Sequence, residues 1–442
     1  MAKNELYRRA SEELKAGNYE EAKRLFLKHE EESGTAAETP SLLQRADELF
    51  TKGEVVQATQ LYEQILNRNP SLVGVYLGFA RIALLTGQME AAKIHAQAAV
   101  RIGPGNGMAW TLIGIVEEAE GNPDAALQYL EKGVELAPSA FFCQYNYGRV
   151  LVATKRSTME SAMGIAALLE ATKLEPHNRD ALFMLGNAYR EAKQYEKAIR
   201  AFEAARDIDP KNVETWATLI DLLFEGKEFK AAQDIANAAL SNCGDHPALL
   251  EKAMATAMML SDSTTAMDYV ERELKLVPEH EQGWLNLANL ALLNKDFDKS
   301  ENAACELLRR NPKSWEAWYH LGNLYDVVPK REKEAEEAYR NSIKLAPDNW
   351  KPLTNLAGMF IQMAAKEKNA EALTLLEKAI PLAPEGEWRV HYNLALAHTK
   401  LGNPDKALEI ARAIQKSAPQ DNPMFAEARK LESNLLEAQK KS

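Results

Sequence analysis

Residues 179–212 read RDALFMLGNAYREAKQYEKAIRAFEAARDIDPKN. Leu182, Leu185, Gly186 and Tyr189 recur at three- and four-residue steps, and so do Ala198, Phe202 and Ala205, which is the apolar period of an α-helix. Gly186 and Ala198 are small enough to let two helices approach closely, and the large residues beside them fill the space between. Pro210 cannot continue the second helix and so sets the turn that follows it. The stretch reads as a helix hairpin.

The same phase runs through the chain. Pro70, Pro104 and Pro138 are 34 apart, as are Pro176 and Pro210, and Pro278 and Pro312; Pro347, Pro384 and Pro419 continue the series. Gly34 and Gly244 stand at the two marks that lack proline, and twelve residues before each of the twelve marks stands Ala22, Ala58, Ala92, Ala126, Gly164, Ala198, Ala232, Ala266, Ser300, Ala335, Ala372 or Ala407. A second small column holds Ala10, Ala46, Ala80, Gly114, Gly148, Gly186, Ala288, Gly322, Ala357 and Ala395, with Ile220 and Met254 as exceptions. Self-similarity at this period defines units at 3–36, 39–72, 73–106, 107–140, 141–178, 179–212, 213–246, 247–280, 281–314, 315–349, 350–386 and 388–421. The fifth carries a four-residue insertion around Lys155 to Glu160. Residues 422–442 place Ala428, Leu431, Leu435 and Leu436 at helical spacing, predicting one amphipathic capping helix. Its leucine stripe is also the candidate for self-association.

Composition narrows the function classes. The 442 residues carry 53 basic and 64 acidic side chains, a net charge of -11, and no Lys/Arg-rich block, which argues against a phosphate-backbone partner. Three cysteines, Cys143, Cys243 and Cys305, form no C-x-x-C pair, so a reducing, cytoplasmic setting is expected. The polar start lacks an apolar signal region, and no apolar run is long enough to insert in a membrane.

Taken together, Leu182, Leu185-Gly186, Tyr189, Ala198, Phe202, Ala205 and Pro210, and likewise Trp318, Leu321-Gly322, Tyr325, Ala335, Tyr339 and Pro347, resemble the tetratricopeptide repeat pattern. The resemblance covers nearly the whole chain, Lys3 to Asp421. It implies an all-α fold in which antiparallel helix pairs stack into a right-handed superhelical solenoid with a concave inner face.

Catalytic, cofactor-binding and metal-binding constellations are not found in the sequence. His391 and His398 share a helix face but occupy packing columns. Gly103-Pro104-Gly105-Asn106-Gly107 lacks the Lys-Ser/Thr of a phosphate loop and reads as an inter-repeat turn. Trp110, Trp216, Trp284 and Trp318 share the fourth position of their units and read as core; Trp315, Trp350 and Trp388 open their units and are expected to be partly exposed. The divergent units 213–246 and 247–280 gather Met254, Met258, Met259 and Met267, a soft cluster expected to form a joint where curvature changes.

On each first helix, unit positions 4, 7, 8 and 11 form the packing stripe, leaving positions 2, 5, 6, 9, 12 and 13 on the opposite side. In the family this second stripe lines the groove. Here it gathers Asn286, Asn289, Tyr319, His320, Asn323, Lys351, Asn355, Arg389, Tyr392 and Asn393, with Arg149, Asn187 and Arg190 as lesser members. Asparagine is a mediocre helix former, so a row of five invites a functional reason. A carboxamide both donates and accepts, and can pair with peptide backbone of any sequence. The row resembles the asparagine ladder of some long members, whereas the Lys/Asn carboxylate clamp is not reproduced, because Phe183 and Tyr319 stand where Lys belongs. The expectation is a non-enzymatic protein–protein interaction scaffold binding an extended partner segment in the concave groove, without cofactor, nucleic acid or membrane insertion. The alternative is a regulatory or targeting subunit that cradles a globular partner on its convex or edge surface.

Overall fold

The structure is a computed structural model that describes residues 2–154, 157–363 and 365–441. Those residues contain helices and connecting turns and no strand. In chain order the α-helices are α1 (Ala2–Lys15), α2 (Tyr19–Ser33), α3 (Glu38–Thr51), α4 (Val55–Arg68), α5 (Val73–Leu85), α6 (Met89–Ile102), α7 (Gly107–Ala119), α8 (Pro123–Leu136), α9 (Phe141–Thr154), α10 (Thr158–Leu174), α11 (Arg179–Glu191), α12 (Tyr195–Ile208), α13 (Val213–Glu225), α14 (Phe229–Cys243), α15 (Pro247–Met259), α16 (Ser263–Leu276), α17 (Glu281–Leu293), α18 (Phe297–Arg310), α19 (Trp315–Val327), α20 (Glu332–Leu345), α21 (Trp350–Gln362), α22 (Lys366–Ala379), α23 (Trp388–Lys400), α24 (Pro404–Ser417) and α25 (Pro423–Lys441). The chain divides into two compact units, one ending at Leu222 and the other beginning at Leu223, so the division falls inside α13.

Within each unit, consecutive helices pair and each pair packs on the next, an all-α solenoid. The small columns set the closeness. A Cβ on Gly186 would lie 2.6 Å from the Phe202 ring, and one on Gly322 would lie 2.5 Å from the Tyr339 ring. Phe202 and Tyr339 are themselves fully buried, each filling the gap its glycine opens. Side-chain caps fix several first helices: Asn106, Asn178 and Ser314 accept from the backbone N–H three residues on.

The proline turns carry a device that the spacing did not disclose. The indole N–H groups of Trp110, Trp216 and Trp284 donate to the carbonyls of Pro104, Pro210 and Pro278, each at 2.8 Å. Tyr76 and Gln144 serve Pro70 and Pro138 in the same way, each at 2.9 Å. A long donor six residues after the proline thus satisfies a backbone carbonyl in the turn beyond the ended helix.

The insertion in the fifth unit lengthens α10 to 17 residues, against 14 in α8 and α12. Lys155 and Arg156, where that insertion was placed, lie outside the described residues. The methionine cluster is only partly a packing feature. Met258 and Met259 are exposed, because they sit on the stripe opposite the packing face. Beside Met254 runs a polar network: Thr256 donates to Gln233 at 2.9 Å, Gln233 to Tyr269 at 3.0 Å, and Tyr269 to Asn237 at 2.6 Å. Gln233 and Thr256 are buried, so this network ties α14, α15 and α16 by satisfied polar groups.

Helix α25 lies on α23 and α24. Leu431 and Leu435 are buried in the cluster around Ala407, Ala411 and Ile414, so this part of the leucine stripe packs onto the last helix pair. Among the described residues no helix is long and apolar enough to cross a membrane.

Candidate functional site

In the second unit the backbones of the first helices approach one another, α17 to α19, α19 to α21 and α21 to α23, whereas α16 and α18, and α20 and α22, meet through long ion-paired side chains, Lys299 with Glu271 and Lys368 with Glu336, each at 2.7 Å. Elements that approach on one side and separate on the other curve, and the approaching side is the inner one. The stripe holding the asparagines therefore belongs to a face on which four consecutive helices come together.

Several of the candidate residues bond to one another across the repeats. Asn323 Oδ1 accepts from Tyr339 O–H at 2.8 Å and from Asn355 Nδ2 at 2.7 Å, and Asn355 Nδ2 also reaches the Tyr319 hydroxyl at 3.0 Å. Burial pushes the Tyr339 hydroxyl well above its usual range; Asp326 adds to the rise and Arg389 opposes it. Asp326 is exposed as a residue, yet partial burial of its carboxyl raises its pKa. Upstream, Asn286 accepts from Gln282 at 2.9 Å.

His320 departs from its expected place on the groove. It is 2% exposed, so it does not present itself to a partner. Its Nε2 lies 2.8 Å from Ser300 Oγ and its Nδ1 lies 2.9 Å from the Asn289 carboxamide. Ser300 gives its one hydroxyl proton to Ala288 O and so accepts from Nε2–H, which makes the neutral ring the Nε2-protonated tautomer with Nδ1 facing the Asn289 carboxamide. Desolvation lowers the ring pKa to about 4. The physical reason for the burial is Ser300, the one hydroxyl in a column of alanines and a glycine, which donates to Ala288 O at 2.9 Å and draws the ring beneath the surface.

The remaining candidates differ in what they leave unused. Lys351 is exposed and has no ion-pair partner among the described residues. Arg389 is exposed, with Glu387 no closer than 3.9 Å. Asn393 makes no hydrogen bond among the described residues. Tyr392 reaches Glu427 on α25 at 3.4 Å. In the first unit, Arg149 is already held by Glu118 in a two-pronged pair at 2.8 and 2.5 Å, which joins α9 to α7. Asn187 and Arg190 sit half-buried on α11.

One feature of this face was missed by reading for polar residues. Met259, Leu293 and Val327, the last residues of α15, α17 and α19, are 51%, 63% and 57% exposed. They form an apolar row at the far end of the same stripe, legible in the sequence as unit position 13 turning from Glu191 and Glu225 to Met, Leu and Val. Trp315, Trp350 and Trp388 are half-buried, and the last two pack onto core clusters.

His398 is buried with its pKa lowered by desolvation, and the half-buried His391 lies beside Trp388 with ring centroids 5.9 Å apart. Among the described residues no group of three or more His, Cys, Asp and Glu is placed to hold a metal. Asn106 of the glycine-rich loop caps α7, accepting from Ala109 N at 3.1 Å.

Profiles of the tetratricopeptide repeat match residues 109–139, 162–213, 189–255, 285–350 and 363–431, more than half of the chain. The chain belongs to the tetratricopeptide repeat family. This tetratricopeptide protein is similar to anaphase-promoting complex subunit 3 of Schizosaccharomyces pombe, 24% identical over 243 residues, which cover 54% of this chain and 35% of that one. It is likewise similar to the BBSome complex member BBS4 homolog of Drosophila melanogaster, 24% identical over 285 residues, covering 61% of this chain and 56% of that one. A tetratricopeptide repeat protein of known structure from Parabacteroides merdae is 16% identical, with a TM-score of 0.45 over 58% of this chain and 98% of its own. The chain spans less than two thirds of the length of either curated relative.

Proposed function

We propose that this chain is a non-enzymatic interaction scaffold whose inner face on α17, α19, α21 and α23 holds an extended segment of another protein, within a larger assembly. The observation that carries the reading is the row of hydrogen-bonding side chains on four consecutive first helices. Asn289, Asn323 and Asn355 each use part of their capacity across the repeats, Asn393 uses none, and Lys351 and Arg389 stand exposed beside them. Helices packed about 8–10 Å apart meet an extended chain at roughly every third residue, since such a chain rises about 3.3 Å per residue. The exposed row of Met259, Leu293 and Val327 supplies apolar contact at the end of the same face. Two relatives carry the names of a complex subunit and a complex member, which supports placement in an assembly.

The test is affinity purification of the tagged chain from its native cell, with wild type set beside two variants. One is Asn289→Ala/Asn323→Ala/Asn355→Ala; the other, Lys351→Ala/Arg389→Ala, touches only exposed side chains. Both should keep their helical circular dichroism and lose the co-purifying protein by about tenfold or more. Equal recovery with both variants rejects the reading.

A further inference from the structure

Glycine inside a helix lowers its stability, so each helical glycine needs a reason. For nearly all of them the reason is steric. A Cβ on Gly74, Gly78, Gly107, Gly114, Gly133 or Gly148 would come within 2.2–2.7 Å of a neighbouring atom, and the same crowding holds at Gly164, Gly186, Gly283 and Gly322. Gly358, at the ninth position of α21, is the exception among the described residues. Its Cβ would meet only Asn393 Nδ2 at 3.5 Å, an ordinary contact, and its backbone is helical. Packing and conformation would both accept alanine here, and alanine would make a better helix.

The place of this glycine is informative. Position nine belongs to the inner stripe, with Asn355 one turn before it on α21 and Asn393 beside it on α23. Asn393 is the carboxamide that makes no hydrogen bond among the described residues. Bare helix backbone and an unused donor–acceptor pair thus lie side by side.

We infer that the gap at Gly358 is a notch kept open for the main chain of an extended polypeptide, which crosses α21 against the helix backbone, bonds the Asn393 carboxamide and turns an acidic side chain toward Lys351 and Arg389. The inference rests on the groove reading above and names what that groove takes. Charge supports the acidic choice. Lys351 and Arg389 are the second residues of α21 and α23 and both are exposed; Lys351 has no ion-pair partner among the described residues, and Arg389 has only Glu387, at 3.9 Å. Lys351 lies seven residues from Gly358, about 10 Å along the axis, a distance that a lysine and a glutamate side chain bridge together.

Structural and binding roles for Gly358 predict opposite signs, which makes Gly358→Ala decisive. The probe is a 12-residue peptide selected from a random display library on the full-length wild-type protein and counter-selected on the Asn323→Ala/Asn355→Ala variant. The inference expects Gly358→Ala to melt at a higher temperature than wild type and to bind that peptide about tenfold or more weakly, since a methyl now fills the notch. It also expects the selected sequence to carry Asp or Glu, and Lys351→Ala/Arg389→Ala to weaken its binding. Unchanged or tighter binding by Gly358→Ala overturns the notch while leaving the groove reading standing, because the counter-selection ties the peptide to the asparagines. A lower melting temperature overturns it too, by giving the glycine a structural reason. Recovery of no asparagine-dependent peptide removes the groove reading and the inference with it.

Discussion

Protonating His320 would place a charge in a pocket that offers only a hydroxyl and a carboxamide. An ordinary histidine titrates near 6.5, and burial lowers this one to about 4. Between those values the unfolded chain binds the proton more tightly than the folded one, so stability rises with pH across the window. The contribution is full above roughly pH 6.5 and is lost as pH falls toward 4, on the order of 3 kcal/mol in total. Urea midpoints at pH 7.5 and pH 5 should therefore separate more for wild type than for His320→Gln, which has no ring to protonate. Equal separation in the two proteins would show that the ring is not kept neutral. The sequence reading put His320 on the groove stripe, but the ring is buried. That depth depends on Ser300, which stands in for alanine 20 residues earlier, and the two residues had to be read as a pair. The asparagines show the same limit. Their alignment on successive helices was plain from spacing, but their bonds to Tyr319 and Tyr339 depend on how closely α19, α20 and α21 approach.

Turns between paired helices show a change of chemistry along the chain. Gly17, Gly53, Gly87 and Gly121 take the left-handed conformation at φ between 72° and 83°. Later turns put Lys193, Lys227, Ser261, Lys295 and Lys330 there, at φ between 57° and 67°, before the last hairpin turn returns to Gly402 at 79°. A residue with a Cβ is strained by about 1–2 kcal/mol in that region, partly offset by the greater freedom of glycine in the unfolded chain. Lys295→Gly should accordingly raise stability by about 1 kcal/mol, read from the urea midpoint; a fall would mean that the lysine side chain contributes more than the strain it carries. At this scale the helices were the most legible part of the molecule, because prolines and small residues punctuate them at a fixed period. The turn conformation at Lys295 was not, since lysine carries no signal for positive φ. The indole-to-proline-carbonyl bonds could have been found in the sequence as a donor six residues after each proline, had the two columns been read together.

Among the described residues each helix pair packs chiefly on its neighbours, with α2 reaching α6 as an exception, so stability is largely a sum of local terms rather than the property of one shared core. The two units are expected to unfold in separate steps. Of the seven tryptophans, Trp110 and Trp216 precede Leu222 and the other five follow it, so fluorescence weights the second unit while circular dichroism reports both. Urea transitions followed by the two probes should fail to superimpose; coincident curves would show that the chain unfolds as one. The solenoid was legible because its period is written in residues that pack, whereas the partner's place is written in residues that face outward and obey no packing rule. Hydrogen exchange on the complex with the co-purified partner tests the account most directly. It predicts slowed exchange on α17, α19, α21 and α23 with α18, α20 and α22 unchanged. Slowed exchange confined to those second helices, with the four first helices as in the free chain, would contradict it.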